Sequence, residues 1–160
     1  MKAVALKKLK EELSHKSANE LMELCLHLSK FKKENKEFLT YLMFESHDEE
    51  AYIESVKAQM DLLFVDINTK NFFFIRKSAR KILTLTKKYI RYSKKKETEA
   101  ELLLHYCYKL KKISPSITNS SRLLNVYQTQ LKMIKKAVGT LHEDLQYDYQ
   151  IEIENLEIHL

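Results

Sequence analysis

Six histidines (His15, His27, His47, His105, His142, His159) and two cysteines (Cys25, Cys107) are the side chains able to ligate a metal or act as nucleophiles. A helix binds zinc through imidazoles one turn apart, or a loop binds it through Cys-x-x-Cys, and neither spacing occurs. A di-iron bundle needs two Glu-x-x-His pairs, and Glu12/His15 alone has that form. Glu23/His27 and Glu101/His105 lie one helical turn apart, each with a cysteine two residues from the histidine. Two residues turn a helix by about 200°, so Cys25 points away from His27 and Cys107 from His105. Both thiols are therefore expected to act as small core hydrophobes. With a single glycine, Gly139, the chain has neither a phosphate-cradling loop nor a Gly-x-Ser-x-Gly elbow. The Arg-to-His spacing of the helical nucleases is missing too. The expectation is a protein with no catalytic residues, no metal and no cofactor. A helical enzyme with dispersed carboxylates is kept as an alternative.

Glycine and proline also decide the fold class. Hairpins and barrels need turn residues many times over, and the 160 residues hold one of each, Gly139 and Pro115. An apolar fraction of 44% with 31% charged residues suits a globular chain. The reading is an all-α single domain over 1–160, with six to seven antiparallel helices in a superhelical hairpin stack or a closed bundle. Four capping boxes, Ser17/Glu20, Ser46/Glu49, Thr98/Glu101 and Thr140/Glu143, stand before apolar periodic runs. The first helix is placed at Lys2–Leu13, with Leu6, Leu9 and Leu13 on one face. The second follows Ser17 and runs to Phe44, either unbroken or in two halves parted near Glu34–Lys36. The third follows Ser46, buries Ile53, Val56, Met60, Leu63 and Phe64, and gives way near Asn68. Helices over Asn71–Lys95, Glu99–Ile113 and Ser116–Val138 come next, with Gly139 as a C-terminal cap.

The last segment carries two signals. Its capping box and acidic first turn say helix, whereas Tyr147, Tyr149, Ile151 and Ile153 alternate at strand period. A strand would have no sheet to join, so helix is expected. It would be apolar on two sides, Leu141/Leu145/Tyr149/Leu156 and Tyr147/Ile151/Ile158. Such a helix is either wedged into a core or forms half of an oligomer contact.

The stretch Lys87-Lys88-Tyr89-Ile90-Arg91-Tyr92-Ser93, continued by Glu99 to Cys107, resembles an uncharacterised bacterial family of small all-helical proteins. Asn19-Glu20-Leu21-Met22-Glu23-Leu24 with Asn35-Lys36 is similar to that family as well. The resemblance implies an all-α fold and no activity.

The net charge of +6 conceals a partition. Residues 1–66 carry 10 basic and 13 acidic side chains, and residues 67–141 carry 18 basic and 3 acidic. Residues 142–160 carry 6 acidic side chains and no Lys or Arg. Within the basic stretch, Arg76, Lys77, Arg80, Lys81, Lys87, Lys88 and Arg91 fall in one sector of about 140° at helical period. Ile75, Ala79, Ile82, Leu83, Leu85, Tyr89 and Ile90 fall in the opposite half. The ridge has no acidic i,i+4 partners on its own helix and is self-repulsive. It is a solvated face, a surface for an acidic partner or a second copy of the chain, or a track for phosphates. The expected function is a cytoplasmic, non-catalytic interaction module that meets an acidic protein surface or itself. Non-specific nucleic-acid binding through the fourth and sixth helices is the alternative. Phe72-Phe73-Phe74 points three ways from a helix, so one ring at least is expected at the surface. No apolar run reaches the roughly 18 residues a membrane span needs, and the first apolar run is too short for a signal peptide.

Overall fold

The computed structural model describes residues 1–157. Among them 80% are helical and none is in a strand, and there are eight α-helices rather than six to seven. The chain divides into two compact units, Met1–Phe44 and Glu45–Leu160.

The first unit holds α1 (Leu6–Ser14), α2 (Ala18–Phe31) and α3 (Lys33–Thr40), followed by one wide π turn over Tyr41–Glu45. Ser17 caps α2 in a complete capping box with Glu20, as the spacing predicts. The long apolar stripe is broken, and at Lys32 rather than at Glu34–Lys36. Lys32 is extended (φ −142°, ψ 139°), so it cannot continue the helical ladder. The Leu28 carbonyl, which a helical Lys32 N–H would have met, accepts instead from Asn35 Nδ2 at 2.8 Å. None of these three helices buries a residue. The Leu6, Leu9 and Leu13 face of α1 is exposed, and so is Cys25, which was expected in a core.

The second unit is built around one helix. It comprises α4 (Glu49–Val65), α5 (Phe72–Ser93), α6 (Lys96–Lys111), a 3₁₀ turn at Ile117–Asn119, α7 (Ser121–Val138) and α8 (Glu143–Leu156). A helix that is apolar on most of its circumference must be enclosed. In α6, Leu102, Leu103, Leu104, Tyr106, Cys107 and Leu110 are all buried, and α4, α5, α7 and α8 pack against it. Tyrosines tie the layers together at their polar tips. Tyr106 Oη donates to the Ala79 carbonyl at 3.0 Å, Tyr52 Oη to Tyr89 at 3.0 Å, and Tyr127 Oη to Leu156 at 2.5 Å.

The other three capping boxes do not form: tertiary contacts take Glu49 and Glu101, and a local bond takes Thr140. Asp48, not Ser46, caps α4 by accepting from Ala51 N–H at 3.0 Å. Glu49 is drawn to the end of α5 and the start of α6. Its Oε1 accepts from Ser93 Oγ and from Thr98 Oγ1 (2.5 Å), and its Oε2 lies 2.9 Å from Lys95 Nζ. Glu101 accepts from Lys57 Nζ at 2.7 Å and from Tyr149 Oη at 2.8 Å. Thr140 turns back onto the Ala137 carbonyl, leaving His142 to cap α8. Gly139 ends α7 at φ −61°, a conformation any residue adopts, and the left-handed position falls instead on Lys94 (φ 61°), just after α5.

The terminal segment is a helix, as expected, and its two apolar sides have different fates. Tyr149, Ile153 and Leu156 are buried, while Tyr147 is 72% and Ile151 49% exposed. Ile158, assigned to the second side from the sequence, lies outside the described residues.

Candidate interaction surfaces

The helix carrying the ridge forms because Asn71 Oδ1 accepts from Phe73 and Phe74 N–H and because Ile75, Ala79 and Ile82 bury one face. Of the seven ridge residues, Lys77, Arg80, Lys81 and Arg91 are exposed, and Arg76, Lys87 and Lys88 are half-buried. The Arg76 guanidinium lies 5.8 Å from the ring centre of Phe73, the most open of the three consecutive phenylalanines. Lys87 Nζ lies 3.6 Å from Met133 Sδ on α7, and Lys88 Nζ 4.9 Å from the centre of the Tyr89 ring. Exposed Thr84 interrupts the row, its Oγ1 donating to the Arg80 carbonyl at 2.9 Å. The expected continuous ridge is thus two clusters, 76–81 and 87–91, on one line of about 21 Å from Lys77 to Arg91.

Among the described residues no carboxylate pairs with Arg76, Lys77, Arg80, Lys81, Lys87 or Arg91. Elsewhere in the same unit, Lys57, Lys95, Lys96, Lys109 and Lys135 each meet one. The acidic terminal helix does not supply the missing partners. Its described bonds run to α6 and α7, through Tyr149 to Glu101, Lys111 to the Asn155 carbonyl, and Lys135 to Glu157.

The first cluster borders a shallow groove between α5 and α7 of about 320 Å³. Leu83 and Val126, both half-buried, form its apolar floor. Arg80 stands on one side, Arg122 on the other, with Asn125 and Thr129 along α7. Arg122 was not singled out from the sequence as part of this surface. It lies 31 residues beyond Arg91, and only the packing of both helices on α6 brings the arginines to one groove. Gln130 also lines the groove and is 2% exposed. Its Nε2 donates to the Val126 carbonyl at 3.2 Å, whereas its Oε1 is buried with no partner. An orphaned buried acceptor costs about 1–3 kcal/mol. Gln130→Leu, similar in volume, is therefore expected to raise the melting temperature by about 3–5 °C. A lower melting temperature in a calorimetric scan would show that the amide is needed where it stands.

A larger cleft, about 600 Å³, opens between α4, α6 and α8 over Leu104 and Leu156. Its titratable groups are engaged with one another or with neighbours just outside the lining. Lys57 and Tyr149 occupy the two oxygens of Glu101. His105 Nε2 lies 2.5 Å and Lys109 Nζ 2.9 Å from Asp61 Oδ1. Burial works against ionisation of Asp61, but the hydrogen bonds from Lys109 and His105 outweigh it and hold the carboxyl below its ordinary value. The Lys112 ammonium, bonded to Tyr108 Oη and 3.8 Å from its ring centre, lowers that phenol. Burial pushes Glu152 up, the charge of Glu101 adds to the effect, and Lys57 opposes both. Burial also pushes the Cys107 thiol up to about 12, which makes it a poor nucleophile. Glu101 and His105, one turn apart in the sequence, do share this cleft, but each faces its own partner.

In the first unit, Cys25 and Leu28 of α2 and Phe38, Leu39 and Leu42 beyond the break line an apolar groove of about 290 Å³. Among the described residues no three His, Cys, Asp or Glu side chains converge as metal ligands, and no helix is long and apolar enough to cross a membrane. No protein-family model, curated protein or solved structure matches the chain, and none supports the family resemblance drawn from Lys87–Ser93 and Glu99–Cys107.

Proposed function

We propose that this protein is a non-catalytic interaction module whose α5/α7 surface receives an acidic amphipathic helix. The observation that carries the reading is the apolar floor of Leu83 and Val126 set between Arg80 and Arg122. A sugar–phosphate backbone has no use for an aliphatic floor between its cationic contacts. A helix with aliphatic residues at i and i+4 and carboxylates on either side matches floor and walls together. Lys77, Lys81 and Arg91, which meet no carboxylate among the described residues, extend the attraction along the axis.

Arg80→Glu with Lys81→Glu is the decisive variant, because both side chains are exposed and neither supports the core. Lys87 is less suitable, since its stem rests on Met133. Exposed charges contribute little to stability, so the melting temperature should move by no more than about 2 °C. Affinity for a synthetic acidic helix with two central leucines, read by fluorescence anisotropy, should fall at least tenfold. A single-stranded oligonucleotide of equal charge should bind weakly. If the oligonucleotide binds more tightly, with an affinity falling steeply in salt, nucleic-acid binding replaces this reading.

A further inference from the structure

The acidic amphipathic helix that the α5/α7 surface fits is present in the chain itself. Around α8, Tyr147 and Ile151 lie one turn apart on the outward side, opposite buried Tyr149, Ile153 and Leu156. At about 100° per residue, Asp144 and Asp148 flank that pair on one side, and Glu143 and Glu154 flank it on the other. All four are exposed. Glu143 and Asp148 meet no cation among the described residues, and Asp144 has only His142, at 3.4 Å. The outward face of α8 is thus an apolar pair between two acidic rows. The α5/α7 groove is an apolar pair, Leu83 and Val126, between two arginines. The lengths agree as well, since the 14 residues of α8 span about 21 Å, as does the line from Lys77 to Arg91.

We infer that the occupant of the α5/α7 groove is the α8 helix of a second copy of this chain. The inference rests on the reading of that groove as a site for an acidic helix. Within one chain the two faces are not joined: the described bonds of α8 go to α6 and α7, and Tyr147 and Ile151 stay open. Because the two faces differ, the contact is head to tail. Each copy offers one groove and one helix, so association continues from copy to copy until a ring closes or the supply ends. Complementary charge on the two faces sets the register and makes the contact sensitive to ionic strength.

Head-to-tail contact has a test that an isologous one would fail. Two variants of the full chain are made, Arg80→Glu/Lys81→Glu, with a disabled groove, and Asp148→Lys/Glu154→Lys, with a disabled helix. Sedimentation velocity at low salt should show the parent chain growing with concentration and reverting as salt shortens the Debye length from about 30 Å to about 3 Å. Each variant alone should lose this growth, with a melting temperature within about 2 °C of the parent. Mixed in equal amounts, they should form a one-to-one complex that grows no further, because only one competent groove and one competent helix remain. A mixture with no complex, or a parent that does not grow at any concentration, overturns the inference. The synthetic acidic helix separates the two ideas. If the parent still binds it and the groove variant does not, the groove reading stands and only its occupant is wrong.

Discussion

Replacing Ile82 by Asp should abolish cooperative folding of the second unit. Ile82 is 2% exposed on the face of α5 turned to the core, and a carboxylate there would have no partner. Burying an unpaired charge, together with the lost aliphatic packing, costs more than about 4 kcal/mol. That is a large part of the roughly 5–15 kcal/mol that holds a domain together. The control is Thr84→Asp, two residues along the same helix, where the side chain is exposed. That change should shift stability by no more than about 0.5 kcal/mol. Thermal melts followed by circular dichroism compare the two directly. Similar melting curves would mean that α5 has been turned the wrong way.

The second large effect concerns Glu49, whose carboxylate joins the start of α4 to the end of α5 and the start of α6. Glu49→Ala removes the carboxylate oxygen that Thr98 Oγ1 and Ser93 Oγ share, leaving the hydroxyl of fully buried Thr98 with Ser93 Oγ alone at 3.1 Å, and also removes the contact to Lys95. A loss of about 2–4 kcal/mol is expected from the deleted charge-assisted bonds. Glu49→Gln keeps an acceptor oxygen and should recover part of it. In a double-mutant cycle with Thr98→Val, the pair should show a coupling above about 1 kcal/mol. Simple additivity would reduce Glu49 to an ordinary surface acid at a helix start.

Glu49 also shows where local sequence signals mislead. Ser46/Glu49, Thr98/Glu101 and Thr140/Glu143 have the spacing of capping boxes, yet only Ser17/Glu20 forms one. A capping box is worth about a kcal/mol and competes with any tertiary partner that desolvates the same side chain. Glu49 and Glu101 have such partners in Thr98, Lys95, Lys57 and Tyr149, which come from 44 or more residues away. In the first unit no buried contact competes for Ser17 or Glu20, and the local rule holds. Features that depend on a single helix were legible: the inward face of α5 and the helical state of the final segment. The placement of Arg122 beside Arg80 was not, because nothing in either helix records how both lie on α6. The cleft was hidden for the same reason, since its walls are drawn from Lys57, His105 and Glu152. Cys25 shows the converse: apolar periodicity marks a helix face, and whether anything covers that face is a separate matter.

The corner at Lys32 changes what the N-terminal apolar stripe can offer. Unbroken from Ala18 to Phe44, it would be a rod of about 40 Å with a narrow seam, suited to lying along another rod. Extended Lys32 doubles the stripe back on itself, and the Asn35 amide holds the fold by taking the place of a missing peptide N–H. Leu28 and Phe38, ten residues apart, then look into the same hollow. A seam that would have run along one line becomes a groove held between two short helices.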